Sequence, residues 1–199
     1  MEITAQMVKE LRDATGAGVL EAKKTLVAVD GDFDKAVDEL RKKGAARAAK
    51  KADRAANEGV IELYAHHSGR IGVILELNCE TDFVARNERF KELAHDIALH
   101  IAAMKPLYLD RSEVPQGDLD REMAVLRDQA LAEGKPAEIV AKIVDGRLSK
   151  FYEETCLLEQ PYIRDDKVKI KDMITNAVQT IGENIIIRRF ARYELGEEL

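Results

Sequence analysis

The spacing of hydrophobic residues predicts three short helices in the first part of the chain. Between residues 1 and 43, apolar positions recur every three or four residues, with breaks at Thr15-Gly16-Ala17-Gly18 and at Asp30-Gly31-Asp32. Thr4 is placed as the first N-cap, and Gly44 is placed as the end of the third helix. A module of about 40 residues has little room for an active-site cavity, so this pattern is typical of a docking unit.

Alternating apolar residues then predict strands. Val60 to Ala65 and Arg70 to Cys79 form a hairpin pattern, with a glycine-containing turn between them. Asn184 to Glu194 predicts a third strand, and its three consecutive isoleucines favour a buried, central position in the sheet. The fold class predicted is α+β, in which an amino-terminal three-helix module is joined to a small three-stranded antiparallel sheet packed with helices.

The remaining apolar periodicity predicts helices that cover the sheet and helices that project from it. The strongly amphipathic stretch from Asn87 to Met104 is expected to pack on the sheet. Two further helical patterns lie in residues 119–163, which we expect to form a projecting helical subdomain. Within it, Leu157, Leu158 and Tyr162 fall outside regular patterns. They predict an exposed apolar loop and, through it, a possible homodimer.

These patterns divide the chain into residues 1–43 (docking module), 44–57 (basic linker) and 58–199 (α+β core). The stretch Arg41 to Arg54 holds seven basic residues and one acidic residue. It is interpreted either as an RNA-binding tract or as a solvated linker. The net charge of −6 and the absence of interleaved aromatic residues favour the linker, so no direct contact with nucleic acid is expected.

Composition narrows the classes of function. No run of 18 apolar residues predicts a membrane span, and the start of the chain lacks an apolar signal region, so a cytoplasmic protein is expected. Cys79 and Cys156 are far apart and are interpreted as reduced thiols. The sequence lacks a phosphate-binding loop, a nucleophile elbow and a zinc-type histidine pair. We therefore expect no enzyme with covalent chemistry, no cofactor and no metal site.

The stretch LNCETDFVA, from Leu77 to Ala85, connects the second strand to the amphipathic helix. Thr81 or Asp82 can cap the helix that follows, because a short side-chain oxygen accepts from free N–H groups. Phe83 either packs beneath this corner or points outward as an anchor for a partner. The local sequence alone favours burial, since most phenylalanines are buried.

Four stretches closely resemble the elongation factor Ts family of bacterial translation factors, in its short single-core form. They are KELRDATGAGVLEAKKTL, NCETDFVA, GKPAEIVAKIVDGRLSKF and IGENIIIRRF. The resemblance covers essentially the whole chain and implies guanine-nucleotide exchange on the GTPase elongation factor Tu. Separately, the amino-terminal three-helix module resembles ubiquitin-associated domains in form.

The resemblance further implies roles for particular residues. Thr81, Asp82, Phe83 and Val84 would insert next to the magnesium and phosphate region of the GTPase and lead to displacement of the metal, which requires Phe83 to point outward. In the docking module, Val19, Leu20 and Lys23 would contact the nucleotide-binding domain. Two other functions stay open: an RNA-binding or ribosome-associated adaptor acting through residues 41–54, and a peptide-binding module.

Overall fold

The computed structural model describes residues 2–197, which form eight α-helices and five strands. The helices are α1 (Ala5–Thr15), α2 (Val19–Ala28), α3 (Phe33–Ala49), α4 (Asp82–Ala85), α5 (Glu88–Met104), α6 (Gln116–Ala132), α7 (Ala137–Thr155) and α8 (Ile170–Ile181). The strands are β1 (Glu58–His66), β2 (Ile71–Cys79), β3 (Pro161–Tyr162), β4 (Asp165–Lys169) and β5 (Ile186–Glu194). This architecture confirms the predicted α+β class.

The first three helices begin and end where their local sequence indicates. The Thr4 hydroxyl accepts a hydrogen bond from the Met7 N–H at 3.2 Å, and Gly16 ends α1 in the left-handed conformation at φ 67°. Asp32 caps α3 through the Lys35 N–H at 3.1 Å. The three helices bury a shared cluster made of Val8, Leu11, Ala17, Ala22, Leu26, Ala36 and Leu40.

The prediction that Gly44 ends the third helix is wrong, because α3 continues to Ala49. Gly44 is buried where α3 meets α8, and a Cβ at this position would clash with the side chain of Gln179. The missing side chain therefore allows the two helices to approach closely rather than breaking α3. As a result, the first part of the predicted linker is helical, and it packs against the rest of the chain.

The main sheet has the strand order β1-β2-β5 and is antiparallel throughout. The prediction of a central position for the third strand is wrong, since β5 lies at an edge and β2 is central. Ile185 and Ile187 are nevertheless buried, at 2% and 7% exposure, because they pack into the core on the helix-covered face of the sheet. A run of isoleucines thus reports burial but not the number of neighbouring strands.

The principal core lies between the inner face of the sheet and the helices α5 and α8. Its fully buried side chains include Leu75, Leu77, Phe90, Ile97, Ile101 and Ile170. The prediction that the amphipathic stretch after residue 87 packs on the sheet is confirmed in the contacts of α5 with β1 and β2. Helices α6 and α7 pack against each other through a separate small cluster of Leu126, Ala130, Val140 and Val144.

The apolar loop after α7 is not exposed, contrary to the sequence-based expectation. Leu157 and Tyr162 belong to the principal core, and Leu158 packs against it. The backbone is fixed by hydrogen bonds from the Leu157 N–H to the Tyr108 carbonyl at 2.9 Å and from the Leu158 N–H to the Leu109 carbonyl at 3.0 Å. These side chains therefore do not provide the surface on which the predicted homodimer was based.

A buried histidine connects α5 to the segment after α7. The His100 side chain is fully buried, and its Nδ1 accepts a hydrogen bond from the Ile163 N–H at 3.3 Å. Since Nδ1 is an acceptor, the proton is on Nε2, which donates to Oε1 of Gln160 at 2.9 Å. Burial lowers the pKa of His100 below its ordinary value of 6.5, although the hydrogen bond that His100 donates to Gln160 opposes this shift.

We expect His100 to make the folded state less stable as the pH falls below 6.5. Its pKa is lower in the folded than in the unfolded protein, so the unfolded chain binds the proton more readily and stability is lost as the pH falls toward the folded value. The slope from one histidine is at most about 1.4 kcal/mol per pH unit. Urea unfolding between pH 7.5 and 5 measures this change of the free energy of unfolding with pH. A His100→Gln variant should show a flatter profile than both the wild type and the exposed-site comparison variant His67→Gln; equal slopes in all three proteins would contradict this assignment.

Candidate functional site

The corner between β2 and α5 contains a single turn of helix, α4. An N-cap residue precedes α4, and another precedes α5. The Thr81 hydroxyl accepts a hydrogen bond from the Val84 N–H at 3.4 Å, so Thr81 is the N-cap of α4. Asn87 caps α5 by accepting from the Arg89 N–H at 2.9 Å. The chain therefore passes from sheet to helix through a short segment whose backbone is fixed by its own side chains.

The residues of this corner point in different directions. Phe83 is 80% exposed, whereas Val84 packs against the principal core and Ala85 is buried. The Asp82 carboxylate is 45% exposed and pairs with the Arg86 guanidinium at 2.6 Å. The expectation of a buried Phe83, which came from local sequence alone, is wrong, and the ring lies on the outside of the protein. Val84 and Ala85 fasten the turn to the core, so that the ring is held in a defined position.

Cys79 lies beneath the corner as a buried, free thiol. Its Sγ donates to the Thr81 carbonyl at 3.2 Å. Burial, with a further contribution from the nearby Glu183 carboxylate, raises the pKa of Cys79 to about 11. The thiol is therefore protonated near neutral pH, and it packs the underside of the corner as a weak hydrogen-bond donor.

Glu183, which the sequence patterns did not indicate, lies at this corner although it is about 100 residues away in the chain. One carboxylate oxygen accepts from the backbone N–H groups of Glu80 and Thr81, both at 3.0 Å. The other accepts from the Thr81 hydroxyl at 2.7 Å. Its only signal in the sequence was its place in the IGENIIIRRF stretch, and nothing in that stretch indicated its partner.

The amino-terminal module presents an apolar surface on α2. Val19 and Leu20 are 54% and 75% exposed, and Lys23 is exposed beside them. Val27 continues the same side of the helix at 57% exposure, while Leu26 faces the interior. This surface is thus composed of aliphatic side chains beside a lysine, and it is separate from the corner at Phe83.

A second exposed apolar surface covers the outer face of the sheet. Ile61 and Leu63 of β1 are 57% and 72% exposed, Ile74 of β2 is 45% exposed, and Tyr193 of β5 is 63% exposed. The register brings them together, since Leu63 pairs with Ile74 and Ile61 pairs with Glu76. The sequence signal for this face is that β1 has apolar residues on both sides, with Val60 and Tyr64 on one face and Ile61 and Leu63 on the other.

Three of the seven basic residues in the basic tract, from Arg41 to Arg54, contact other parts of the protein. The Arg47 guanidinium donates to both carboxylate oxygens of Glu21, at 2.8 and 2.6 Å. The Lys51 ammonium donates to the Gly182 carbonyl at 2.5 Å, and Arg54 lies 3.5 Å from the Glu80 carboxylate. These contacts hold α3 and the segment after it against α2, α8 and the corner.

Within residues 2–197, no group of three or more histidine, cysteine or acidic side chains is arranged to hold a metal ion. Across the same residues, none of the helices combines the length and the apolar character that a membrane span requires.

An α+β scaffold that presents an aromatic side chain at a fixed corner, together with two other exposed apolar surfaces, is typical of a protein that binds a macromolecular partner. Comparison with known proteins identifies its family. A family model described as "Elongation factor TS" matches residues 2–197. The chain belongs to the elongation factor Ts family, whose members are elongation factors of protein biosynthesis.

Individual relatives agree with this assignment over nearly their whole length. Elongation factor Ts of Carboxydothermus hydrogenoformans is 57% identical over 197 residues, which cover 99% of this chain and 91% of the relative. Elongation factor Ts of Fervidobacterium nodosum is 55% identical, with 99% of this chain and 100% of the relative covered. That of Caldanaerobacter subterraneus is 55% identical over 98% of both chains.

Proposed function

We propose that the protein is a guanine-nucleotide exchange factor that binds elongation factor Tu–GDP and promotes GDP release, so that GTP can bind again during translation elongation. Membership of the elongation factor Ts family supplies the translation context. The observation that carries the proposal is the outward position of Phe83, which is 80% exposed on a corner fastened from beneath by Val84 and Ala85. A large ring is left in water in the free protein and becomes buried only when a partner covers it.

Nucleotide exchange needs no bond-making group on this chain. GDP is held by backbone N–H groups around its phosphates and by a bridging magnesium ion. The factor must bind the nucleotide-free GTPase more tightly than the nucleotide-bound form, and by linkage it then weakens nucleotide binding by the same ratio. Insertion of the segment from Thr81 to Val84, with the exposed Phe83 ring at its tip, beside the phosphate and magnesium region displaces the metal and so favours release. The protein is therefore an exchange factor rather than an enzyme.

Phe83 alone is insufficient for this role. Burial of one phenylalanine side chain contributes about 2–3 kcal/mol, which corresponds to about 30- to 150-fold in an equilibrium constant. Other contacts between the two proteins must hold the corner in place against the GTPase. We assign this task to Val19, Leu20 and Lys23 of the docking module, which are exposed on α2, and to the apolar outer face of the sheet.

The basic tract is assigned a structural role in this proposal. Arg47, Lys51 and Arg54 make contacts within the chain. This supports a linker that packs on the rest of the protein rather than an RNA-binding surface. A translation factor of this kind acts in the cytoplasm. The homodimer stays a prediction, although Leu157 and Tyr162 are buried and cannot form its interface. Sedimentation at micromolar concentration tests whether the protein is a dimer.

The proposal is tested by mixing the purified protein with elongation factor Tu loaded with fluorescent GDP. We expect GDP release to accelerate with factor concentration and to reach a plateau, and we expect excess magnesium to oppose the acceleration. Release that stays at its spontaneous rate over the whole concentration range would refute the proposal. A parallel filter-binding titration with RNA at low salt tests the adaptor alternative, which requires an affinity that falls steeply with salt.

A further inference from the structure

We propose that Glu183 is a positioning residue for nucleotide exchange, because it fixes the corner that presents Phe83. This inference rests on the exchange function proposed above and adds a residue from a distant part of the chain. Glu183 follows α8, and its carboxylate accepts three hydrogen bonds from Glu80 and Thr81, with lengths between 2.7 and 3.0 Å. No other side chain in the described residues makes as many hydrogen bonds to the corner.

The backbone donors that Glu183 satisfies lie beyond the end of the sheet. The last pairs of the ladder are Glu58 with Cys79 on one side of β2 and Asn78 with Ile186 on the other. The N–H groups of Glu80 and Thr81 therefore have no strand to pair with, although they are partly buried. A single carboxylate oxygen accepts from both, so Glu183 continues the hydrogen bonding of β2 into the corner.

Glu183 also determines how Thr81 caps α4. The Thr81 hydroxyl donates its one hydrogen to Oε1 of Glu183 at 2.7 Å. Because that hydrogen points toward the carboxylate, the lone pairs of the oxygen are free to accept from the Val84 N–H, which lies at 3.4 Å. The carboxylate thus orients the cap, and the cap orients the helical turn that carries Phe83.

The neighbouring residues Glu80 and Asn184 form a second contact between the same two segments. In this contact the carboxylate belongs to the corner and the backbone N–H belongs to the segment after α8. The Glu80 carboxylate accepts from the Asn184 backbone N–H at 2.6 Å. The Asn184 side chain, which is 4% exposed, donates to the carbonyls of Ala52 at 3.2 Å and Arg54 at 2.8 Å. The two segments therefore hold each other through reciprocal carboxylate-to-backbone contacts, and the same junction holds the chain that arrives from the docking module. Loss of Glu183 should loosen the corner while leaving the docking surfaces on α2 and on the sheet in place.

The experiment measures GDP release from elongation factor Tu over a range of factor concentrations, which separates the maximal rate from the half-saturating concentration. We expect Glu183→Ala to lower the maximal rate by about tenfold or more, because the corner loses three charge-assisted hydrogen bonds. The half-saturating concentration should stay within about twofold, since most of the binding surface is unchanged. A variant that was merely less stable would not show this division at a temperature well below its unfolding midpoint.

Conservative and control variants sharpen the test. Glu183→Gln keeps an oxygen for the two N–H groups but replaces the acceptor of the Thr81 hydroxyl by an amide donor, so its maximal rate should lie between those of wild type and Glu183→Ala. Glu133→Ala is the matched control. It removes a carboxylate that accepts bonds of 2.8 and 2.7 Å from Arg147, between α6 and α7, and should behave as wild type.

The outcomes separate this inference from the proposed function. A wild-type maximal rate in Glu183→Ala, or a Glu183→Gln variant as slow as Glu183→Ala, would overturn the positioning role. If Glu183→Ala does not fold, Glu183→Asp decides: a slowed maximal rate supports the role, and a wild-type rate overturns it. Phe83→Ala is measured alongside. If Phe83→Ala is slow and the Glu183 variants are not, only the positioning role fails; if Phe83→Ala is also unaffected, the exchange mechanism itself fails.

Discussion

Replacing Phe83 with alanine is expected to slow factor-stimulated GDP release from elongation factor Tu by about 30- to 150-fold. The ring is 80% exposed in the free protein, so almost all of its apolar surface is available for burial against a partner. The variant should therefore lose binding free energy in the complex while the folded protein itself loses almost none. Substitutions at exposed positions usually change the free energy of unfolding by less than about 0.5 kcal/mol.

Release of fluorescent GDP and thermal unfolding, measured on the same preparations, check both parts of this prediction. Leu107→Ala provides a matched control, because Leu107 is an exposed apolar residue, at 68%, beyond the far end of α5 from the corner. We expect the control to have wild-type release and wild-type stability. A Phe83→Ala protein that releases GDP as fast as wild type would refute the insertion role. A large fall in its unfolding midpoint would show that the ring supports the fold instead.

The sequence predicted best those features that are determined by a few neighbouring residues. Thr4 was identified as an N-cap because its own side chain supplies the bond to the Met7 N–H, and the hairpin was identified from the glycine-containing turn and the alternation along β2. The amphipathic period of α5 likewise identified the face that packs on the sheet. In each case the information lies within one or two turns of the chain.

Features that depend on distant parts of the chain were not predictable in this way. Leu157 and Tyr162 were expected on the surface because nothing in their vicinity indicates the core that covers them. Gly44 was interpreted as a helix end because α8, which packs against it, is more than a hundred residues later. The orientation of Phe83 is intermediate. Local sequence indicated burial, and only the resemblance to the family indicated exposure.

Replacing Phe90 with alanine is expected to have the opposite effect from replacing Phe83. Phe90 is only seven positions further along the chain, yet its ring is fully buried in the principal core at the start of α5. Truncation of a buried phenylalanine removes its transfer free energy and leaves a cavity, so the free energy of unfolding should fall by about 3–5 kcal/mol. That is a large share of the roughly 5–15 kcal/mol that stabilises a typical domain.

Urea unfolding of Phe90→Ala measures the loss, with Phe90→Leu as a control that retains most of the apolar volume and should lose clearly less. At a temperature where Phe90→Ala is still folded, its maximal rate of GDP release should stay much closer to wild type than that of Phe83→Ala. The Phe90 ring is fully buried and has no surface to offer a partner. A stability loss below about 1 kcal/mol would contradict the close packing of the core at this position. The two substitutions therefore separate the contribution to folding from the contribution to partner binding, because Phe90 is buried within its own chain and Phe83 is exposed.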